Sequence, residues 1–281
     1  MIADKGSSQV MTVHPSDVLS VIFHGTSQTV STAFLECCGE NHIPVIICDR
    51  IHNPLAVMLP FNAHSKTTGR LDIQLQASEP NKKRIWQTII KAKLCNQAAH
   101  LSFYGLDKEA FLIQHLAEIV KSGDSGCCEA QGARIYFAAL FGKRFVRQSE
   151  NITNILLNYI YTILRSCISR EAAGYGLNPA FSVFHSNHEN SFSLIDDLME
   201  PFRPLADRYV KLILMKYPEE MELTPAMKRY CIGITRHHVI FNGQEQNLQF
   251  ALQNYIRSYV LTLQRTAKRL DIPEYAYDFS L

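Results

Sequence analysis

The chain has 281 residues, enough for two modest domains or one large one, and its 47% hydrophobic content supports a substantial core and excludes a disordered protein. The formal net charge is only +2, so any nucleic-acid binding must come from local basic patches. Eight cysteines occur without a CxxC spacing, which argues against a zinc ribbon. Because no apolar run reaches the length of a membrane span and the N-terminus does not resemble a signal peptide, we expect a cytoplasmic protein with no membrane association.

The first 76 residues contain short runs of β-branched residues separated by turn residues. Four of these runs predict strands: VLSVIF (18–23), IPVIIC (43–48), LAVMLP (55–60) and LDIQLQ (71–76). Between the first two runs, SQTVSTAFLECCGEN predicts a short helix that Thr29 or Ser31 caps and Gly39 ends. We therefore expect a small β-rich N-terminal domain over residues 1–76.

The pattern changes after residue 76. The segment ASEPNKKR (77–84) combines proline with polar and charged residues and predicts a linker. From residue 85 onwards the apolar residues recur at helical spacing, first in IWQTIIKAKLCNQAAHLSFYG and then in several later segments up to the C-terminus. The predicted fold class is therefore α+β, with the β-rich domain followed by a larger all-α domain over 85–281 that carries the active site.

An acidic cluster lies inside this helical part, in HSNHENSFSLIDDLMEPFRP (185–204). Asp197 and Glu200 are three residues apart and share one face of a short helix, which we expect Ser193 to cap and Pro201 to end or kink. The cluster is either a solvated acidic face near a helix N-terminus or a cation-binding site. The apolar neighbours of the two acids favour a packed helix over a freely solvated one: Leu194, Leu198, Met199 and Phe202.

Two further positions are candidates for the same site. His185 lies in a loop-like segment upstream of the helix, where it is either a satisfied loop residue or a metal ligand, and His188 competes with it. Glu129 stands in an apolar helical stripe, where a carboxylate needs a partner. That partner is either Arg134 or another arginine, or a metal ion.

One histidine with two or three carboxylates and no thiolate suits Mg²⁺ or Mn²⁺. Such sites polarise a phosphate and activate or orient an oxygen nucleophile in phosphoryl transfer. The sequence lacks the GxSxG, GxxxxGK[ST], GxGxxG and HExxH motifs, so other common chemistries have no support.

Several segments together resemble the CRISPR-associated integrase and endonuclease of spacer acquisition, the first Cas protein, in its type II form. They are ICDRIHNPLAVMLPF, WQTIIKAKLCNQA, CCEAQGARIYFAALFG, NITNILLNYIYTILRS and GLNPAFSVFHSNHENSFSLIDDLMEPFRP. The resemblance implies a β-rich domain followed by a helical domain, a homodimer, and a heterohexameric complex with a small second Cas protein, in some systems with further type II adaptation proteins. It also implies a magnesium- or manganese-dependent enzyme that joins the 3′-hydroxyl ends of double-stranded DNA to a CRISPR repeat.

The resemblance also assigns site residues. The family's E-x-x-x-A-R-x-Y helix, its histidine after G-L-x-P and its D-L-M-E run fall on Glu129, His185 and Glu200. These three would be the catalytic metal ligands, which decides between the two histidines in favour of His185. Asp197 lies beside them and assists. Asp196 stands where the family more often has an aliphatic residue, and is either an additional acid behind the ligands or a solvent-facing one.

The candidates for DNA phosphate contacts are basic residues within or next to these motifs, namely Arg134, Arg203 and Arg208. Arg203 could equally be a structural partner of Glu129 or Asp197.

The segment MIADKGSSQV is a poor match to the strands with which family members usually begin, so we expect an incomplete β-domain. Two alternative functions use the same residues: a stand-alone metal-dependent endonuclease, with water as the nucleophile, and a catalytically impaired DNA-binding scaffold.

Overall fold

The computed structural model describes residues 2–3, 10–18, 20–23, 27–49, 54–58, 67–185 and 190–275. The strands are β1 (Ile2–Ala3), β2 (Val10–Met11), β3 (Val21–Phe23), β4 (Val45–Cys48), β5 (Pro54–Met58), β6 (His238–Phe241) and β7 (Gln244–Asn247). The helices are α1 (Thr32–Glu40), α2 (Thr67–Leu75), α3 (Glu79–Phe103), α4 (Asp107–Ile119), α5 (Cys128–Phe141), α6 (Ile152–Gly174), α7 (Ser193–Met199), α8 (Arg203–Lys216), α9 (Pro225–Ile232) and α10 (Leu248–Leu263).

The N-terminal part contains the predicted strands and helix. β4 is the middle strand of a sheet in which β3 pairs with it in parallel and β5 antiparallel. α1 connects the parallel pair, as a crossover requires, and the hydroxyl of Ser31 accepts a hydrogen bond from the Phe34 amide, which makes Ser31 the cap. The helix continues one residue past Gly39, to Glu40. Cys38, Ile43 and Val45 form a small core of their own between the helix and the sheet.

Two predictions at the end of this region are wrong. LDIQLQ is not a strand: its first five residues end α2, and Gln76 follows the helix. The burial also departs from the apolar pattern, because the polar Gln74 is buried and the apolar Leu75 is 57% exposed. The Gln74 carboxamide bonds to the backbone of Asn178, which donates to Oε1 at 2.8 Å and accepts from Nε2 at 3.0 Å. The segment 77–84 is not a linker either, since α3 begins at Glu79 with Pro80 in its first turn, a position that proline tolerates well.

The segment before β3 also differs from expectation, because β1 and β2 form a short antiparallel pair there. The division of the chain into two domains at residue 76 stays a prediction.

The helical part is built around α3, whose apolar side chains are almost completely buried. Ile85, Trp86, Ile89, Ile90 and Leu94 lie in one large core with side chains from α5, α6, α8 and α10. The same helix also buries polar residues, among them Lys93, and these lead to the site described below.

The hairpin β6–β7 was not predicted. Its turn consists of Asn242 and Gly243, both with positive φ (50° and 77°), the conformation that the Asn-Gly pair adopts most readily. Among the described residues, none of the helices combines the length and apolarity that crossing a bilayer demands.

Candidate active site

Glu129 and Glu200 lie close together because both contact the ammonium group of Lys93. Lys93 Nζ is 2.7 Å from Glu129 Oε1 and 2.5 Å from Glu200 Oε2, and its side chain is only 8% exposed. Glu129 lies in the first turn of α5, Glu200 directly follows α7, and Lys93 lies in the middle of α3. The partner that Glu129 needs in its apolar stripe is therefore this lysine and not Arg134 or another arginine.

The start of α5 positions Glu129. Both carboxylate oxygens of Asp124 accept hydrogen bonds from the first amides of the helix, Cys128 at 2.8 Å and Glu129 at 3.0 Å. Gly132, one turn further on, lies directly against α3, because a Cβ at this position would be 2.3 Å from Leu94 Cδ2. The close packing of the two helices brings the first turn of α5 within reach of Lys93.

Pro201 shapes the backbone at Glu200, as expected. α7 ends at Met199 and passes through a 3-10 turn, Glu200–Phe202, into α8. Arg203 Nε donates to Glu200 Oε1 at 2.8 Å, so the partner of Arg203 is Glu200 and not Glu129 or Asp197. Burial raises the pKa of Glu200, but the cations Arg203 and Lys93 outweigh it and hold that pKa below its ordinary value. Glu200 is therefore a buried and ionised carboxylate.

His185 is oriented by Asp197. Its Nδ1 is 2.5 Å from Oδ1 of Asp197, which is fully buried, while Oδ2 accepts from the amides of Val183 at 2.8 Å and Phe184 at 2.7 Å. The hydrogen bond to Asp197 is the largest cause of the raised pKa of His185, and the nearby Glu129 and Glu200 carboxylates raise it further. With Nδ1 directed at Asp197, Nε2 is the nitrogen left to face a ligand.

The ring of His185 is held from the side as well. Phe184 stacks on Trp86 of α3 with ring centroids 4.7 Å apart, and the His185 ring meets the same indole edge-on at 5.1 Å. The side chain nevertheless stays 49% exposed. His185 is thus fixed in direction and open to solvent on one side. His188, the competing histidine, lies outside the described residues.

Asp196 and Ser193 do not face this site. Asp196 Oδ1 accepts from Arg165 of α6 at 2.5 Å and Oδ2 accepts from Asn190 at 2.8 Å, so Asp196 fastens the start of α7 to α6. The Ser193 hydroxyl donates to the carbonyl of Asn190 at 2.6 Å. Ser193 is therefore the first residue of α7 and not the cap that the sequence predicted; Phe192 precedes it.

The three candidate DNA-contacting arginines differ in exposure. Arg134 is exposed on α5, and Arg203 is partly exposed while paired with Glu200. Arg208 is only 1% exposed and lies 4.9 Å from the centre of the Phe103 ring, so a DNA phosphate cannot reach it. The prediction for Arg208 is wrong because it falls on the buried face of α8.

Comparison with known proteins agrees with this architecture. Residues 1–217 match the family model described as CRISPR associated protein Cas1. The chain belongs to the Cas1 family. A family member named CRISPR-associated endonuclease Cas1, from Neisseria meningitidis serogroup C (strain 8013), is 34% identical over 98% of this chain and 90% of its own length. The predicted family and the α+β fold class are both confirmed.

Two solved structures share the fold of this Cas1 chain. One, described as a casposase bound to integration product, has a TM-score of 0.77 at 20% identity over 92% of this chain and 82% of the other. The second, a Cas6-RT-Cas1--Cas2 complex, has a TM-score of 0.72 at 21% identity over 88% of this chain and 31% of the other. At these identities the likeness establishes the fold alone.

The donor set of this Cas1 protein fits a divalent cation in its chemistry. Within the described ranges, no three His, Cys, Asp or Glu side chains are close enough together to hold an ion as they stand. Lys93 instead places a positive charge between the partly exposed carboxylate of Glu129 and the buried one of Glu200, and in the described part of the chain Glu200 Oε2 accepts no hydrogen bond of regular geometry. A cation, the Lys93 ammonium, thus already lies between these carboxylates, and carboxylate oxygens with an imidazole nitrogen are donor types that suit Mg²⁺ or Mn²⁺.

Sequence reasoning missed Lys93. The lysine falls on the same stripe of α3 as Trp86, Ile90 and Gln97, all of which are buried. A lysine in such a stripe is almost never buried without an acidic partner, and this was the signal that could have found it.

Proposed function

We propose that the protein is a metal-dependent DNA integrase of CRISPR adaptation, which joins the 3′-hydroxyl ends of short DNA duplexes to a CRISPR repeat by transesterification. The observation that carries the proposal is that Glu129 and Glu200 share Lys93, and that both act electrostatically on the Asp197-oriented His185, in a chain of the Cas1 family. The protein is an enzyme of the nuclease and integrase class, as the relative named an endonuclease and the casposase of the same fold support.

In the proposed reaction the oxygen of a DNA 3′-hydroxyl attacks a phosphorus of the repeat. A new phosphodiester bond forms as the old one breaks, and the released strand keeps a 3′-hydroxyl, so no water is consumed. Glu129, Glu200 and Nε2 of His185 would hold the Mg²⁺ or Mn²⁺. When bound, that cation supplies charge neutralisation at the phosphate and a lower pKa for the attacking hydroxyl.

The chain's own residues prepare this chemistry. Asp197 keeps the hydrogen of His185 on Nδ1 and so leaves Nε2 as a lone-pair donor. Arg203 and Lys93 keep Glu200 ionised in spite of its burial. Arg134, exposed on the same helix as Glu129, is the candidate for holding a DNA phosphate.

The proposed partners are double-stranded DNA, a second copy of this chain and a small second Cas protein, together in a heterohexameric complex, with other type II adaptation proteins joining it. The solved complex that contains both a Cas1 segment and Cas2 supports the choice of partner. The proposed location is the cytoplasm, where the DNA is.

The second candidate is a stand-alone endonuclease, because the 34% identical relative is named one. It would use the same residues with water as the nucleophile, so its product would be a cleaved strand and not a joined one. A catalytically impaired DNA-binding scaffold would produce neither.

The test is a strand-transfer assay with Mn²⁺, a labelled duplex with free 3′-hydroxyls and a supercoiled plasmid carrying a repeat, with and without the small partner. We expect joined products that disappear in Glu129→Gln and persist in Glu118→Gln, an exposed glutamate of α4. Cleavage without joining would establish the endonuclease instead. Binding of DNA with no reaction would establish the scaffold.

A further inference from the structure

Lys93 occupies the space in which a divalent cation would have to bridge the two glutamates. Its Nζ lies 2.7 Å and 2.5 Å from one oxygen of each carboxylate. A bridging Mg²⁺ or Mn²⁺ ion requires metal–oxygen distances of about 2.1 Å to the same groups. Both cations cannot be there together, since they would be in contact and of like charge.

The lysine is also held there from both sides. It is buried in the middle of α3, a helix of 25 residues, and its ammonium contacts a carboxylate oxygen of Glu129 and one of Glu200. Arg203 donates to Glu200 at Oε1, whereas Lys93 contacts Glu200 at Oε2 and also contacts Glu129, so Lys93 joins the two acids. Without it, two carboxylates would face one another in a poorly solvated site.

We propose that Lys93 is a positioning residue that holds Glu129 and Glu200 together before the divalent cation enters and leaves that place when the cation binds. This rests on the proposed function, because it assumes that these glutamates are metal ligands. Lys93 keeps the two carboxylates close together in the metal-free protein, and it competes with the metal for the same oxygens. The competition weakens metal affinity and confers stability on the metal-free state.

The test measures Mn²⁺ affinity by electron paramagnetic resonance and melting temperature with and without Mn²⁺, in wild type and in Lys93→Met. We expect Lys93→Met to bind Mn²⁺ about tenfold more tightly than wild type, because no ion pair has to be broken first. The metal-free variant should melt at a lower temperature, and Mn²⁺ should raise its melting temperature by more than it raises that of wild type.

Two further variants test whether a change in Mn²⁺ affinity arises at Lys93 and at this site. Lys91→Met removes a lysine from the same helix, two residues away and with no ion pair to either glutamate among the described residues, and should leave the affinity unchanged. Lys93→Met combined with Glu129→Gln should lose the tighter binding, which locates the effect at this site. Equal Mn²⁺ affinity in wild type and Lys93→Met would overturn the proposal for Lys93 while leaving the metal site intact.

A measurement on the wild-type protein covers the case in which Lys93→Met does not fold. In a crystal structure with Mn²⁺ bound to Glu129 and Glu200, Nζ should have moved out of contact with both carboxylates. An ammonium that still bridges them beside the metal would overturn the proposal. Mn²⁺ that binds nowhere near Glu129, with an affinity that Glu129→Gln does not change, would overturn the proposed function as well.

Discussion

Glu200 and Asp207 are two buried acids seven residues apart in the chain, and their surroundings shift their pKa values in opposite directions. Glu200 lies between Arg203 and Lys93, which keep its pKa low. Burial raises the pKa of Asp207 to about 7, although hydrogen bonds from the tyrosine hydroxyls of Tyr161 and Tyr136 oppose it. Burial makes any carboxylate hard to ionise, and cations within contact distance decide whether the charge survives. Of these two acids, it is Glu200 that has two cations in contact, Arg203 and Lys93. Lys93 also contacts Glu129 and so lies between the two glutamates.

The largest expected difference between the two acids is in catalysis. Glu200→Gln should lower strand transfer by roughly a thousandfold, because charge stabilisation at the reacting phosphate is lost. Asp207→Asn should retain most of the activity, since Asp207 hydrogen-bonds to Tyr161 and Tyr136 and not to Glu129, Glu200 or His185. Initial rates of joining, measured at saturating Mn²⁺, check both variants in one experiment. An equal loss of joining activity in Glu200→Gln and Asp207→Asn would contradict the different roles assigned to the two acids.

The next largest effect concerns the residue behind His185. Asp197→Asn should reduce activity by about 10- to 100-fold, the usual cost of removing the partner that orients a ligating histidine. The single carbonyl oxygen of asparagine can accept either from His185 or from the amides of Val183 and Phe184, so one of the two contacts is lost. Rates and melting temperature measured together separate the two losses. His185→Ala should match the activity loss with a smaller loss of stability.

The free energy of unfolding should depend on pH in a way that reveals the raised pKa of Asp207. An aspartate ionises near pH 3.9 in the unfolded chain and near 7 here, so between these values the folded protein binds the extra proton. Wild type should therefore lose stability relative to Asp207→Asn as the pH rises from about 4 to about 7, by up to about 4 kcal/mol in all. Urea unfolding of both proteins at several pH values measures the difference. A constant difference would mean that Asp207 is ionised throughout.

The smallest effect is expected at Asp196. Asp196→Ala should cost about 1 kcal/mol of stability by releasing Arg165 and Asn190, both of them partly exposed. Activity should change by no more than about threefold, since these contacts fasten α7 to α6 without touching Glu200 or His185. Chemical denaturation and the joining assay test the two parts. A large loss of activity would instead assign Asp196 to the site.

Local sequence patterns predicted three strands and one helix of the N-terminal part, and they predicted the helix break at Pro201, next to Glu200. The β-branched runs of β3, β4 and β5, the Ser31 cap and the break at Pro201 all depend on residues close together in sequence. α2 escaped prediction because the burial of Gln74 depends on the backbone of Asn178, far along the chain. The Asn242–Gly243 hairpin had a local signal that the surrounding helical periodicity obscured.

The site itself was predictable only in its acids and its histidine. Glu129, His185 and Glu200 were found through the residue types and the family resemblance, and their roles stay predictions. Lys93 was missed because its two partners lie on other helices, 36 residues away in the case of Glu129. The role of Asp197 also depends on a loop folding back, since its Oδ2 accepts hydrogen bonds from the amides of Val183 and Phe184, directly before His185.

The missing side chain at Gly132 gives the site a mechanical property. Because Gly132 carries no side chain, α5 packs directly on the Leu94 side chain of α3, close to the contact between Lys93 and Glu129. In Gly132→Ala the added methyl group would lie 2.3 Å from Leu94 Cδ2, so either the fully buried Leu94 side chain or α5 itself would have to shift. An uncharged residue one turn along α5 thus bears on where the Glu129 carboxylate lies.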